Sequence, residues 1–572
     1  MGIPGYFSNC IKEYNKKDDP RSIIKKIIPE FKELDDGSIV QLSNRLFLDF
    51  NCAIYYVIKP EMKTEETLIT YVLEYLDSLC SMINNLELIY IAIDGVPPRA
   101  KMEQQRARRF HSICKKKKSE IINSKYGSVI DKTVYNTNYD TNMITPGTEF
   151  MSKLSDAIKA HISSSEIYKN KKIIFSNSNV PLEGEHKILE YIKLNPSKND
   201  QNTIIYGLDG DLIMLSLVSK EDDIYLLREA KEYGSYALIH NNNPYLYMDI
   251  NNLRYALMNS FKVYNPNIDI NNTQRYIDDY IFLSFMLGND FVHKWHWFSI
   301  YEGGYKKILS AYFQVHINYG EFLIDRDKMN INTLILVDIF DILKESETYS
   351  VKKFMEKRQR SRIPVSTDMS ERERRQVLTD FYPLQYLHIE EEIEPNKPKW
   401  RNRYYKKCFN MVGNPENIKL ITDSYLKTLV WNFKYYFEGC TNWSHFYPYG
   451  YSPTVSDLYY ALSNIKNLNT EYKFSKDKPI TQQTLLLMVL PEASRGLMAR
   501  NYSSKLFDNK CNLNIYFPNR YIINVIFNRY YHECLPIIPR IEITLINDFI
   551  KNLKLSSKEE SRNKFEKEFI LN

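Results

Sequence analysis

The chain has 572 residues, of which 44% are hydrophobic and 26% charged, as in globular proteins with a substantial core. No apolar run approaches the roughly 18 to 20 residues of a membrane span, so we expect no membrane role. The 76 basic and 70 acidic residues leave a net charge of +6, which indicates nucleic-acid binding only if the charges are segregated. They are segregated, because basic residues concentrate at 99–118 and 352–362.

Eight cysteines are spread singly along the chain and never form a CxxC pair. This spacing argues against a zinc site and against a disulfide framework. The N-terminus lacks the layout of a secretory signal, so we expect a reducing compartment. We take this to be the cytoplasm, with the nucleus or a viral factory as alternatives.

Up to about residue 310, short apolar runs alternate with helical patterns, which predicts an α/β fold with a mostly parallel central sheet flanked by helices. A helical period over 68–83 leads into a predicted strand at 88–93, and further strands are predicted at 46–48 and 203–206. An aspartate follows each of these strands. Active sites of open α/β sheets gather at that edge, so we expect the acids to meet there.

Seven carboxylates lie beside apolar runs, where an acidic side chain costs free energy unless it is paired or binds a cation. They are Asp49, Asp94, Glu183, Glu185, Asp209, Asp211 and Asp290. Two cations about 4 Å apart can activate a water molecule and stabilise the leaving oxygen of a phosphodiester. We therefore predict that these residues are metal ligands and catalytic. Each one alone is better explained as an N-cap, a turn residue or half of a salt bridge, but seven in this order favour a metal site.

A predicted helix that follows Asp94 carries a basic face at i, i+4, i+7 and i+8. The residues are Lys101, Gln105, Arg108 and Arg109. Next to a metal site this face would bind a terminal phosphate, because Arg binds phosphate through two parallel hydrogen bonds and Lys adds a point charge. The alternative is an ordinary solvated face. His186 would contact the substrate or orient a carboxylate, and a structural hydrogen bond is an equal alternative.

The later sequence divides into two parts. Charge runs at 346–399 predict a connector, disordered in part, between an N-terminal domain at 1–345 and a second, helical and aromatic-rich region at 400–572. In that region one aromatic stripe has helical spacing and is predicted to be core: Trp431, Tyr435, Tyr436 and Phe437. Trp443 and the segment 447–451 lie among turn residues and are candidates for stacking on bases.

Six motifs resemble, in order and wording, the first conserved region of the Xrn family of 5′→3′ exoribonucleases: MGIPGYF, LFLDFN, IAIDGVPPRAKMEQQRARRF, NVPLEGEHKILEYI, YGLDGDLIMLSL and LSFMLGNDF. Two later motifs resemble the second conserved region of that family: TLVWNFKYYFEGCTNWSHFYPYGYSPTVSDL and LLMVLPEASRGLM. The resemblance covers about residues 1–310 and 400–520. It implies a core like that of PIN and flap nucleases, with the second region packed against it.

The resemblance also implies an activity. A member of this family would degrade single-stranded RNA with a 5′-monophosphate, processively, to nucleoside 5′-monophosphates in mRNA decay, with water as the nucleophile. It implies Mg²⁺, or Mn²⁺, as two ions held by the seven acids, and recognition of the 5′-phosphate by the basic face. We expect a monomer. The sequence offers no support for a partnership with the decapping machinery.

Two positions depart from the family pattern. Tyr55 stands where the family usually has a stacking His, and His445 stands where a second Trp is common. Tyr can still stack, so we expect an altered grip on RNA and retained activity. Two other readings compete: a 5′ DNA nuclease of the flap-endonuclease kind, and an inactive RNA-binding scaffold. The aromatic second region argues against the first, and the complete set of acids argues against the second.

Overall fold

A computed structural model describes residues 3–15, 19–33, 37–59, 64–126, 140–233 and 244–572. Met1 and Gly2, which open the MGIPGYF motif, lie outside these ranges. Within them the strands form one large sheet and several two-stranded pairs. The strands are β1 (Ile24–Lys25), β2 (Phe31–Glu33), β3 (Ile39–Gln41), β4 (Ser43–Asp49), β5 (Leu86–Ala92), β6 (Lys172–Ser176), β7 (Gln201–Tyr206), β8 (Ile224–Glu229), β9 (Tyr245–Asp249), β10 (Ile324–Asp325), β11 (Asn330–Ile331), β12 (Ile522–Ile523), β13 (Pro536–Ile537) and β14 (Phe569–Leu571).

Helices flank the sheet and form most of the second half of the chain. They are α1 (Tyr6–Tyr14), α2 (Phe50–Tyr56), α3 (Glu65–Ser81), α4 (Arg99–Tyr126), α5 (Glu149–Ser164), α6 (Gly184–Leu194), α7 (Asp211–Val218), α8 (Ile250–Phe261), α9 (Thr273–Phe285), α10 (Gly304–Tyr319), α11 (Thr333–Gln359), α12 (Glu371–Asp380), α13 (Leu387–Glu391), α14 (Trp400–Phe409), α15 (Pro415–Phe437), α16 (Val455–Leu462), α17 (Leu468–Glu471), α18 (Gln482–Val489), α19 (Arg500–Leu506), α20 (Ile543–Ile550) and α21 (Ser557–Ser561). In the part of the chain that is described, none of these helices is long and apolar enough to cross a membrane.

The large sheet has the strand order β1-β9-β8-β7-β4-β5-β6-β14. Its middle strands, from β8 to β6, run parallel, and the pairs at both edges are antiparallel. The predicted α/β fold with a mostly parallel central sheet is therefore confirmed. From β4 the chain adds β5 and β6 on one side and later adds β7 on the other. A crevice is expected at the carboxyl ends of the strands where the order reverses in this way.

Successive residues of the strands enter two different hydrophobic cores, because side chains alternate between the faces of a strand. In β4, Leu46 and Leu48 pack into a core with α3 and α5, whereas Phe47 packs into the core that continues into the helical region. The helix predicted at 68–83 corresponds to α3, and the strand predicted at 88–93 corresponds to β5.

Segment 346–399, which the sequence predicts as a partly disordered connector, is largely helical and packed. Helix α11 runs through its predicted N-terminal boundary, and α12 and α13 follow. Glu347 is buried and accepts a 2.6 Å hydrogen bond from the backbone N–H of Val455. Arg358 and Glu390 form a buried ion pair with 2.6 Å between Nε and Oε2. These buried charged side chains are stabilised by partners far away in the sequence. The local sequence of the segment therefore shows charge runs and no apolar periodicity, although the segment is packed.

Helix α4 connects the sheet to the C-terminal helices. It packs against α18, and its buried arginines bind carbonyl groups of that region. Arg99 Nη2 donates to the carbonyl of Ile541 at 2.6 Å, and Arg106 Nη1 donates to the carbonyl of Met488 at 2.8 Å. The predicted helical, aromatic-rich region packed against the core is therefore confirmed.

Candidate active site

The seven predicted acids lie at strand ends and helix starts. Asp49 is the last residue of β4, Asp94 lies two residues beyond β5, and Asp209 follows β7. Glu183 and Glu185 lie at the start of α6, Asp211 is the first residue of α7, and Asp290 follows α9. Parallel strands end at a common edge, so this placement brings acids that are far apart in the sequence to one crevice. We expected Asp209 and Asp211 in one extended segment, whereas a helix begins at Asp211.

Three of these acids are close enough to hold one cation. One carboxylate oxygen from each of Asp49, Asp94 and Glu185 lies within 4.8 Å of the other two. Burial, together with the charge of Asp94, raises the pKa of Asp49 to about 7. Burial and the charge of Glu183 raise the pKa of Glu185 well above its ordinary value. Clustered buried carboxylates are costly without a counter-charge, and oxygen ligands of this kind fit a hard divalent cation.

Neighbouring groups fix the orientation of this triad. Asp94 accepts a hydrogen bond at 2.7 Å from Asn51 Nδ2, and another at 2.7 Å from the backbone N–H of Gly184. Cys52 Sγ lies 3.3 Å from Asp49 Oδ2. A Cβ atom at Gly184 would lie 2.7 Å from Asp49 Oδ1, so only glycine allows α6 to approach this closely. Sequence reasoning missed these supporting residues, although they adjoin predicted acids in LFLDFNC and LEGEH.

Lys101 lies among the acids and bridges two of them. Its Nζ is 2.5 Å from Glu183 Oε1 and 2.8 Å from Asp290 Oδ2. Burial alone would raise the pKa of Asp290, but the charge of Lys101 outweighs it and the pKa is lowered. Burial would lower the pKa of Lys101, but the charges of Asp290 and Glu183 raise it well above its ordinary value. Both partners are therefore ionised at neutral pH.

The remaining residues of the predicted basic face follow Lys101 along α4. Arg108 is exposed, and Arg109 Nη2 donates to Thr145 Oγ1 at 2.8 Å. Burial lowers the pKa of Arg109 to about 10, which still leaves it charged at neutral pH. Within the described ranges, its Nη1 and the Oε1 of Gln105 are buried without a hydrogen-bond partner. Tyr55, 46% exposed in α2, lies close enough to Arg109 for each to influence the ionisation of the other.

His186 is buried and packs against an aromatic ring. Its ring centroid lies 3.8 Å from that of Tyr435. Burial, together with Lys193, lowers the pKa of His186 well below its ordinary value, so the imidazole is neutral. This environment fits a structural role for His186 better than contact with a substrate.

Trp443 is half-buried in the loop after α15. Its backbone N–H donates to Asp477 Oδ1 at 2.5 Å, and its carbonyl accepts a 2.7 Å hydrogen bond from the N–H of Arg99. The loop is thus attached to the start of α4, near the acids. His445 points inward instead, with Nε2 3.0 Å from Thr428 Oγ1.

Two tyrosines of α15 reach the acids, and sequence reasoning predicted both only as core. The hydroxyl of Tyr435 donates to Glu183 Oε2 at 2.9 Å, and that of Tyr436 donates to Asp211 Oδ1 at 3.1 Å. Burial and the adjacent carboxylate charges raise the pKa of both phenols, so they remain protonated donors. The helical spacing correctly predicts their burial but carries no signal for their hydroxyl groups.

Comparisons with known proteins agree with this arrangement. The family model described as the XRN 5′-3′ exonuclease N-terminus matches residues 1–230. The family model described as the Xrn1 helical domain matches residues 270–386 and 385–572. Together the two models match most of the chain, including all seven acids and both tyrosines of α15.

Several relatives of known name are called 5′-3′ exoribonucleases. The chain is 25% identical to 5′-3′ exoribonuclease 1 of Saccharomyces cerevisiae, a match that covers 100% of the chain and 44% of that protein. It is 26% identical to 5′-3′ exoribonuclease 2 of Arabidopsis thaliana, over 95% of the chain and 66% of that protein. It is also 26% identical to 5′-3′ exoribonuclease 1 of Homo sapiens, over 98% of the chain and 35% of that protein. The chain thus spans between about a third and two thirds of the length of these relatives.

Proposed function

The chain belongs to the Xrn family of 5′→3′ exonucleases, and on that premise we propose that it degrades single-stranded RNA from a 5′-monophosphate end. The products are nucleoside 5′-monophosphates, released one at a time. One observation carries the proposal. The buried Asp49 and Glu185 and the half-buried Asp94 fit one divalent cation, and they lie near helix α4, on which Arg108 is exposed and Arg109 is half-buried. The acids would hold the metal ions for phosphodiester hydrolysis, and the basic residues would bind the 5′-monophosphate and so determine which end of the RNA is degraded.

The donor set fits Mg²⁺ or Mn²⁺, which prefer carboxylate oxygens. Asp49, Asp94 and Glu185 would hold one ion, and the other predicted acids would contribute to a second. Such ions supply Lewis-acid stabilisation of a phosphodiester and lower the pKa of water. The protein's own part is to hold the carboxylates in place, as Asn51 and the N–H of Gly184 do for Asp94.

The basic side of α4 supports selection of the 5′ end. Arg108 is exposed, and Arg109 holds a buried donor without a partner within the described structure. Two guanidinium groups near the acids would hold a terminal phosphate while the following phosphodiester lies at the metal ligands. Lys101, the first residue of this face, is paired with acids, so we assign it to charge balance in the crevice. It would bind the phosphate only after a metal cation has taken its place beside these acids.

Two aromatic side chains at the edge of the site support the binding of an unpaired strand. Tyr55 is exposed on α2, and Trp443 is half-buried in a loop attached to the start of α4. Stacking of a base on an aromatic ring contributes roughly 1 to 3 kcal/mol and tolerates any base. Tyr55 thus takes the place of the stacking His that the family pattern has there.

The test is product analysis. RNA with a 5′-monophosphate and a uniform label is incubated with Mg²⁺, and the products are separated by chromatography. We expect nucleoside 5′-monophosphates and no intermediate fragments. Asp211→Ala should slow their release by more than about 100-fold. Loss of a residue that hydrogen-bonds a metal ligand typically costs about 10- to 100-fold, and loss of the ligand itself should cost more. Asp156→Ala, which removes an exposed acid of α5, is the matched control. Fragments of many lengths, or cleavage of DNA flaps in preference to RNA, would contradict the proposal.

A further inference from the structure

Two hydrogen bonds connect helix α15 to acids of the sheet crevice. Tyr435 donates to Glu183 Oε2 at 2.9 Å across 252 residues of sequence, and Tyr436 donates to Asp211 Oδ1 at 3.1 Å across 225 residues. Glu183 immediately precedes α6, and Asp211 is the first residue of α7. A single helix from the second region therefore contacts carboxylates presented by two separate parts of the first.

Packing fixes the direction of both phenol rings. The ring of Tyr435 stacks on that of Trp431, with 4.9 Å between centroids, and lies 3.8 Å from the ring of His186. The ring of Tyr436 lies 4.9 Å from that of Phe285. Only 1% of Tyr435 and 2% of Tyr436 is exposed. Because the rings are held from several sides, replacement by Phe removes the hydroxyl and leaves the packing in place.

A third contact fixes α6 against the end of α15. Lys193 Nζ, in the last turn of α6, lies 3.2 Å from the carbonyl oxygen of Tyr436 and 3.1 Å from that of Phe437. A cation is favourable at the carboxyl end of a helix, where carbonyl groups lack partners. Helix α6 is therefore connected to α15 at both ends, by Tyr435 at its start and by Lys193 at its end.

We propose that Tyr435 and Tyr436 are positioning residues of the metal centre, each fixing one carboxylate oxygen and thereby the direction of the other. The inference rests on the proposed function only in taking Glu183 and Asp211 as metal ligands. Groups that hydrogen-bond metal ligands typically contribute 10- to 100-fold to metal affinity. The second region would then complete the metal centre in addition to contacting RNA.

The experiment measures binding of Mn²⁺ alone, without RNA, by isothermal titration calorimetry of the full chain. Tyr435→Phe and Tyr436→Phe should each raise the Kd by about 10- to 100-fold. Tyr425→Phe is the matched control, because its buried hydroxyl lies on the same helix but donates to the carbonyl of His293 at 3.0 Å. We expect its Kd to stay within about twofold of the wild-type value. Metal-free thermal unfolding confirms that each variant is folded.

The outcomes separate this inference from the proposed function. An unchanged Kd in the folded Tyr variants, or an equal loss of affinity in Tyr425→Phe, would overturn the inference even in an active nuclease. If one variant does not fold, the other decides. Wild-type protein that binds Mn²⁺ and leaves RNA intact would contradict the proposed function alone, and the Tyr variants would still decide this inference. Wild-type protein that binds no Mn²⁺ would overturn both.

Discussion

Lys101 and Asp290 form a buried ion pair with 2.8 Å between Nζ and Oδ2, although 189 residues separate them along the chain. The same ammonium group lies 2.5 Å from Glu183 Oε1. Lys101 therefore balances the charge of two acids that we assign to metal binding. A cation that enters the crevice would compete with it for the same oxygens.

Lys101→Met should destabilise the metal-free protein, because it leaves two buried carboxylates without their counter-charge. Breaking a buried pair costs about 3 to 5 kcal/mol. Thermal unfolding in EDTA should show a clear fall in Tm, and Mg²⁺ should restore part of it. Lys116→Met, at an exposed position of the same helix, is the control. A Lys101→Met protein as stable as the wild type in EDTA would refute the charge-balance role.

Arg108→Ala should reduce the preference for a 5′-monophosphate without changing stability, because the side chain is exposed. Loss of one charge-assisted hydrogen bond predicts a fall of about 10-fold in the ratio of decay rates for 5′-monophosphate and 5′-hydroxyl RNA. Lys116→Ala removes a positive charge elsewhere on α4 and should leave the ratio unchanged. The same fall in both variants would point to general charge attraction and away from a phosphate site.

Gly184→Ala should impair the crevice. The added Cβ would lie 2.7 Å from Asp49 Oδ1, so α6 or the carboxylate must move. Overpacking of this kind costs about 1 to 3 kcal/mol, and a displaced ligand should lower activity by at least about 10-fold. Gly496→Ala is the control, since no atom of the residues that the structure describes lies within 4 Å of its added Cβ. Wild-type decay rates in Gly184→Ala would contradict the close approach of α6 to Asp49.

Glu347 should make stability depend on pH. Burial raises its pKa to about 7, although hydrogen bonds from Ser456 and Val455 oppose this shift. Because the folded pKa lies above the unfolded one, the stabilising contribution is full below about pH 4.5 and is lost as the pH rises through 7. The loss amounts to about 3 kcal/mol.

The measurement for Glu347 is thermal unfolding of the wild type and of Glu347→Gln between pH 5 and 8. The Gln variant lacks the titration, so the wild type should lose Tm relative to it as the pH rises. A constant difference between the two proteins, or a relative gain by the wild type, would show that Glu347 does not titrate in this range.

The sequence was sufficient to predict the sheet and the position of several acids. Asp49 and Asp94 each follow an apolar run that reads as a buried strand, and parallel strands bring their carboxyl ends to one edge. The prediction worked because it needed only local patterns and one general rule of α/β folds. The structure brings Asp49 and Asp94 together at that edge, and Glu185 joins them from the start of α6.

Other features depend on contacts between distant residues and leave no local pattern. The burial of Tyr435 follows from helical spacing, but its hydrogen bond to Glu183 depends on how α15 packs against α6. Likewise, the sequence predicts Lys101 as the first residue of a basic face. Its position between two acids depends on the fold and could not be predicted from the local sequence. The buried partners of Glu347 lie in α16. The polar sequence of segment 346–399 therefore predicts more exposure to solvent than the segment has.

The most direct test of the central claim is a comparison of RNAs that differ only at the 5′ end. Matched RNAs with a 5′-monophosphate, 5′-hydroxyl, 5′-triphosphate or cap are incubated with the protein in Mg²⁺ or EDTA, with a DNA of the same sequence as control. We predict rapid decay of the 5′-monophosphate RNA in Mg²⁺, decay at least about 10-fold slower for the other ends, and none in EDTA. Equal decay of all four RNAs would contradict recognition of the 5′-monophosphate, and decay in EDTA would contradict the metal centre.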